Sequence, residues 1–325
     1  MFYPIKLIPV YKDYIWGGRN LERLGRSLPE GIVAESWEVS AHPDGVSIVA
    51  NGEFAGFSLP ELLVKYGKLI IGTKLPEEYI HQFPLLIKLI DANQQLSVQV
   101  HPDDQYARNH EGGYGKNEMW YVIAADPGAE IIYGLVSGTT RESLGEAVRE
   151  NRSESCLNTI PVSAGDAFNI PAGMVHGLGA GIVLVEIQQS SNLTYRLYDY
   201  NRRDVLGNKR PLHIEKALEV INYNSVGQAG KLEAVVAENR PGLVRKQLVA
   251  NHFFEVDLYE LDGEIPENTA GERFFSYTFI EGGGRFIYQG GALRFKMAET
   301  ILIPAALEDY TIEGKTKYLK TSIPT

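Results

Sequence analysis

Leu96-Ser97-Val98-Gln99-Val100-His101-Pro102-Asp103 alternates in character from one residue to the next. Successive side chains of a strand point to opposite faces. Ser97, Gln99 and His101 therefore share one face, and Val98 and Val100 take the other. Three polar groups converge where a buried strand would ordinarily carry hydrophobic side chains. Further along the chain come Lys116-Asn117-Glu118-Met119-Trp120-Tyr121 and Pro171-Ala172-Gly173-Met174-Val175-His176-Gly177. Together these stretches offer two imidazoles, a carboxylate and an amide oxygen. That mixed nitrogen and oxygen set suits zinc or a similar divalent metal.

The same reading extends along the chain. Short apolar runs separated by scattered glycine and proline predict many strands. They fall at 36–40, 84–91, 96–101, 118–124, 129–135, 167–171, 181–189 and 194–200. Three helices interrupt them. Ser58-Leu59-Pro60-Glu61 has the form of a capping box, with Gly67 as its stop. Thr139-x-x-Glu142 repeats that start before Leu144, Ala147 and Val148. Ile214, Ala217, Leu218 and Ile221 form one apolar helical stripe.

The small, polar stretch Asn224–Gly230 predicts a linker. Beyond it, strands are expected at 253–261, 272–281, 284–288, 293–297, 300–304 and 310–313. A weak internal repeat joins the halves. Asp166-Ala167-Phe168-Asn169-Ile170-Pro171-Ala172 lines up with Glu299-Thr300-Ile301-Leu302-Ile303-Pro304-Ala305, and His176 then falls opposite Asp309. The expectation is mainly β: two related barrels with a few short helices. Residues 1–223 carry the metal site, and 231–325 form a degenerate β domain without one.

Composition narrows the function. The chain has 325 residues, enough for one large or two modest domains, with 44% hydrophobic and 22% charged residues. Its formal net charge is −10, so nothing global draws it to nucleic acid or to an anionic membrane. An anionic substrate would need local cations. The lone Cys156 leaves no intrachain disulfide and no thiolate zinc site, which fits a reducing cytoplasm. No run of 18 uninterrupted apolar residues predicts a membrane span.

The candidate ligands differ from the other histidines in context. His42, His81, His110, His213 and His252 read as surface or hydrogen-bonded side chains. His101 follows a strand whose same face carries Gln99, and an unsatisfied buried amide costs about 1–3 kcal/mol. Glu118 precedes Trp120-Tyr121 in an apolar strand, where a buried carboxylate needs a cation. Gln99, His101, Glu118 and His176 leave room for water or substrate. Such an open site polarises a carbonyl or activates water. Lys88 lies in the apolar run Pro84–Ile90, Lys116 two residues before Glu118, and Arg196 on one strand face with Thr194 and Tyr198. Cations beside a metal suggest a substrate with a carbonyl or diol and an anionic tail. Arg202, Arg203, Lys209 and Arg210 read mostly as a solvated loop cluster, with phosphate contact as the minor alternative.

These residues resemble the type I phosphomannose isomerases, zinc enzymes of the cupin superfamily. The resemblance lies in Phe83–Lys88, Ser97–Asp104, Lys116-Asn117-Glu118-Met119, Pro171–His176, Glu186–Ser191 and Thr194–Arg196. It is to the short bacterial form, without the long helical insertion of other members, and Asn117 replaces the family's proline. The resemblance implies two jelly-roll barrels and Gln99, His101, Glu118 and His176 as ligands of one Zn2+, with other divalent metals possible. It implies Arg196, Lys116 and Glu186 as catalytic groups, with Ser97 and Lys88 near the substrate phosphate. The activity it implies is interconversion of mannose 6-phosphate and fructose 6-phosphate through an enediol. A cytoplasmic enzyme of carbohydrate metabolism is expected, monomeric or weakly homo-oligomeric. Its rivals are another cupin enzyme, such as an iron dioxygenase, and a non-catalytic sugar-phosphate sensor.

Overall fold

The computed structural model describes residues 1–203, 206–224 and 230–325. The expected linker falls largely on 225–229, outside the described residues. The chain is mainly β, in three sheets with short helices packed against them.

A six-stranded antiparallel sheet lies at the centre. Its order is Ala167–Ile170, Glu118–Ala125, Ile182–Gln189, Leu85–Ala92, Glu35–Val39 and Val10–Lys12. Every residue of Leu85–Ala92 and Ile182–Gln189 is buried. A strand covered on both faces reads as a continuous apolar run, which is how Pro84–Ile90 reads. Lys88 and Glu186 are charged exceptions near the middle of these strands, and they face each other across the two.

A five-stranded sheet packs over one face of the central sheet. Its order is Tyr195–Tyr198, Val98–Val100, His176–Leu178, Glu130–Leu135 and Leu157–Pro161. Trp120, Val122, Phe168 and Leu184 meet Ile131, Tyr133 and Leu178 in the shared core. Val98, Val100 and Leu197 point the other way, against helices Arg141–Arg149 and Ile214–Val220. The polar face of the strand at 98–100 therefore looks inward, between the sheets.

The third sheet covers the far side of the central one. Val256, Leu258, Leu302 and Leu319 pack against Leu85, Ile87, Leu89 and Val185. On its other face Tyr259, Tyr277, Phe279, Phe286, Tyr310 and Tyr318 build an aromatic core. Ile5–Ile8 and Ile48–Val49 complete this nine-stranded sheet, so strands from both halves of the chain share it. In both copies of the aligned repeat a strand ends at the Ile of Ile-Pro-Ala, Ala167–Ile170 at a sheet edge and Thr300–Ile303 inside a sheet. His176 and Asp309 then open the next strands. The cupin-like β fold is as expected, but the sheets remain open at their edges instead of closing into barrels.

Several local expectations need correction. The strands expected at 272–281 and 284–288 are one strand, Phe275–Tyr288. Glycine lets it continue past a close neighbour: Gly282 has φ +69°, and a Cβ there would lie 2.1 Å from Lys315 O. The Ser58/Glu61 capping box is present. The second box is shifted by one residue, with Thr140 as cap and Ser143 as its partner, because Ser143 Oγ also reaches the Thr140 backbone N–H. Helix Asp104–His110 was missed, although Asp103 caps it by accepting from Tyr106 N at 2.8 Å. Among the described residues, no helix is long and apolar enough to cross a membrane.

Candidate metal centre

Strand pairing assembles the centre. Gln99 lies directly opposite both His176 and Arg196, so the three side chains share the inner face of the five-stranded sheet. On the facing sheet Glu186 stands between Trp120 and Lys88, and Glu118 pairs with Gln188. Tyr195 and Leu197 turn outward to the helices, which leaves Arg196 on the inner face.

His101, Glu118 and His176 bring ligand atoms within 4.8 Å of one another, and all three are buried. His101 Nε2 is 3.2 Å from Glu118 Oε1, and His176 Nε2 is 3.8 Å from Glu118 Oε2. Gln99 Nε2 lies 3.4 Å from His176 Nε2. The outer ring nitrogens are fixed by carbonyls: His101 Nδ1–H donates to Leu193 O at 2.7 Å, and His176 Nδ1–H to Met174 O at 2.8 Å. A carbonyl only accepts, so each ring keeps its proton on Nδ1 and offers the Nε2 lone pair inward. That tautomer is what a metal ligand requires.

The charge states agree. Burial, helped by Lys116, lowers His101 to about 3, and burial lowers His176 as well. Burial alone would raise Glu118, but Lys116 and His101 outweigh it and hold the carboxyl well below its usual range. The Lys116 ammonium balances this carboxylate, at 2.6 Å from Glu118 Oε1 and 3.3 Å from His101 Nε2. Even so, Glu118 Oε1 accepts no well-aligned hydrogen bond. Two neutral imidazoles, an ionised carboxylate and an adjacent amide fit a divalent cation.

A cavity of about 240 Å³ opens beside this cluster. Gln99, Lys116, Lys88, Glu186, Ser97 and Arg196 all line it. Every site residue expected from sequence therefore lies in the cluster or the adjoining cavity. Lys88 is not a free cation: its Nζ lies 2.8 Å from Glu186 Oε2 and 3.5 Å from Glu35 Oε2. Burial would lower Lys88, but Glu186 and Glu35 outweigh it and raise it. Burial and the nearby Glu118 raise Glu186. Arg196 Nε donates to Ser97 Oγ at 3.3 Å and its Nη1 to Pro211 O at 2.8 Å. His213, read as a surface or hydrogen-bonded side chain, accepts from Arg196 N at 3.2 Å through Nδ1.

Sequence reading missed Glu35, Trp120, Tyr14, Trp16 and Asn192, and it placed Arg210 in a solvated cluster. All six line the cavity. Glu35-Ser36-Trp37-Glu38 did carry a signal, since two carboxylates in a strand with a tryptophan are unusual for a buried sheet. Arg210 faces the cavity because Asp199 holds its Nε at 2.8 Å and its Nη2 at 2.6 Å, and also pairs with Arg202. Asn117 does what a proline could not. Its N–H donates to Gln189 Oε1 at 3.0 Å, its Nδ2 donates to the same oxygen at 2.7 Å, and its Oδ1 accepts from Ala172 N at 3.0 Å.

The catalytic-domain description of phosphomannose isomerase type I matches residues 5–126, and the mannose-6-phosphate isomerase cupin domain matches 245–323. The chain is 38% identical over 312 residues to mannose-6-phosphate isomerase ManA of Bacillus subtilis (strain 168), covering 96% of each. It is 37% identical over 301 residues to the mannose-6-phosphate isomerase of Streptococcus mutans, covering 92% of each. The crystal structure of the mannose 6-phosphate isomerase from Bacillus subtilis matches with a TM-score of 0.89 at 36% identity, over 98% of this chain and 99% of that one.

Proposed function

Because the chain belongs to the type I phosphomannose isomerase family, we propose that it interconverts mannose 6-phosphate and fructose 6-phosphate through an enediol. The observation that carries this reading is the convergence of His101, Glu118, His176 and Gln99 beside a cavity lined by Lys116, Glu186 and Arg196. These four side chains would hold one divalent cation, with zinc the first candidate. A bound cation supplies Lewis acidity at the sugar C1 and C2 oxygens, where negative charge develops.

The remaining groups divide the work. Isomerisation moves one proton between C1 and C2, and Lys116 Nζ or the Glu186 carboxyl, both lining the cavity, would carry it. A carboxyl raised by burial holds a proton closer to neutral pH, which suits Glu186 to that task. Arg196 keeps its charge and has no acceptor, so it orients the substrate and stabilises the enediolate. With Lys88 already held between two carboxylates, the anionic tail goes to Ser97, Arg196 and Arg210. On this reading Lys88, expected near the phosphate, acts by setting the state of Glu186. Tyr14 and Trp16 wall the cavity and limit water at the reacting carbons. A cytoplasmic location accords with the lone Cys156.

The test is metal analysis and a coupled mannose 6-phosphate assay on one preparation. One divalent ion per chain, with activity lost on chelation and restored on readdition, is expected. A metal-loaded protein without turnover would leave a sugar-phosphate sensor as the reading. Oxygen uptake would point to an oxygenase.

A further inference from the structure

Trp120 Nε1 lies 3.1 Å from Glu118 Oε2 and 3.1 Å from Glu186 Oε1. An indole carries one N–H and no acceptor, so a single proton is shared between two carboxylates. One belongs to the candidate metal centre, the other to the Lys88 pair. The contact sits inside a buried chain of alternating donors and acceptors. Lys116 Nζ meets Glu118 at 2.6 Å, Trp120 bridges to Glu186, and Glu186 meets Lys88 at 2.8 Å. Lys88 lies 3.5 Å from Glu35, which accepts from Trp37 Nε1 at 2.6 Å.

The bridge follows from register. Glu118 and Trp120 are two apart on one strand and share a face, and Glu186 is directly opposite Trp120. The ring is nearly fully buried and set edge-on to His176, with centroids 5.5 Å apart at 77°. Its orientation is therefore fixed on both sides. Without the N–H, two buried carboxyl groups would turn oxygens toward each other with no donor between them, a costly arrangement in a buried site.

We propose that Trp120 is a positioning residue for this reaction, acting through its N–H rather than its bulk. It keeps Glu118 Oε2 and Glu186 Oε1 turned toward each other. This leaves Glu118 Oε1 to the His101 and Lys116 side, and Glu186 Oε2 to Lys88. The proposal rests on the isomerase reading for its kinetic consequence, but not for its effect on the Glu118 carboxylate.

The deciding substitution replaces Trp120 with β-(benzothiophen-3-yl)alanine, which keeps the ring and loses only the N–H. Trp120→Phe is the genetic counterpart. The benzothiophene protein should retain the wild-type melting temperature. Its kcat should fall about 10- to 100-fold, with KM within a few-fold of wild type. Its zinc affinity, measured by chelator competition without sugar, should drop roughly tenfold, the scale of lost support behind a ligand. Wild-type kcat and zinc affinity in the benzothiophene protein would overturn the proposal, and impairment confined to Trp120→Phe would assign the residue to packing. If the wild-type protein shows no isomerase turnover, the isomerase reading fails while the zinc-affinity comparison still decides the role of Trp120.

Discussion

Gln99 and His176 are direct cross-strand partners, with Gln99 Nε2 3.4 Å from His176 Nε2. This pairing locks the centre to the fold, because a one-residue slip of either strand would turn its side chain to the helix-covered face. Rotation of the Gln99 amide presents its oxygen to the same space. With few ligands available, loss of one imidazole should uncouple the set. His101→Ala and His176→Ala should each lose most bound metal and at least about 100-fold in kcat, in line with the 1.4 kcal/mol that each factor of ten represents. Full metal occupancy in both variants, read by elemental analysis, would remove them from the ligand set.

Arg196 should serve turnover more than folding. Its guanidinium reaches Ser97 Oγ and Pro211 O while lining the cavity. Arg196→Lys keeps the charge and loses the planar fork. We expect kcat to fall by about 100-fold, roughly 2.7 kcal/mol of transition-state stabilisation, with metal content and melting temperature near wild type. An unfolded or metal-free Arg196→Lys protein would make the residue structural instead.

Asn117 ties the strand that carries Glu118 to the turn that leads to His176, through its contact with Ala172 N. Asn117→Ala leaves Ala172 N and Gln189 Oε1 with fewer partners, at a cost of about 1–3 kcal/mol. Metal affinity should fall roughly tenfold, as for other supports behind ligands. A chelator titration that gives the wild-type value would show that the turn is held without it.

Much of this centre was legible because it depends on period-two alternation. Ser97, Gln99 and His101 are displayed together by any extended backbone, and Val98 and Val100 require a covered opposite face. The lysine of an otherwise apolar run was visible too, as Lys88. Its role was not, because Glu186 and Glu35 reach it only through strand pairing distant in sequence. The role of Trp120 was hidden for the same reason: the indole N–H gains meaning only when Glu186 lies opposite. Arg210 looked solvated because the Asp199 contact that turns it inward spans a loop with no periodic signal. The long C-terminal strands were cut short in the sequence reading, since Gly282-Gly283-Gly284 signals a break unless a close neighbouring strand calls for glycine.

The buried imidazoles should make the metal-free protein acid-sensitive. An unfolded histidine takes up a proton near pH 6.5, whereas His101 in the fold resists it down to about 3. The unfolded state therefore binds more protons in that window, and stability falls as pH falls through it. Glu118, held below its usual value of 4.5, adds a loss of the same sign only below about that pH. In the presence of chelator, the wild-type melting temperature minus that of His101→Gln should shrink between pH 7 and pH 4.5. A difference that is flat or grows on acidification would contradict a neutral, buried His101.

The C-terminal sheet should carry neither metal nor catalytic group. Asp309 occupies the repeat position of His176, but it is exposed and accepts a hydrogen bond from Asn268. The aromatic core beneath, with Tyr277 Oη 2.6 Å from Tyr310 Oη, is packed rather than open. His252 is the one imidazole of this half, and it stands beside Phe253 with ring centroids 5.5 Å apart. A single imidazole with scattered acids is a poor transition-metal site. What this half supplies is cover: Val256, Leu258, Leu302 and Leu319 keep water from the back of the strands that hold Lys88 and Glu186. Asp309→Ala and His252→Ala should therefore leave metal at one ion per chain and kcat within about twofold of wild type, a difference of roughly 0.4 kcal/mol. Leu258→Asp, by contrast, introduces an unpaired charge into that buried contact and should unfold or severely destabilise the whole chain. A second tightly bound ion that disappears in the Asp309 or His252 variant would show that the C-terminal half has chemistry of its own.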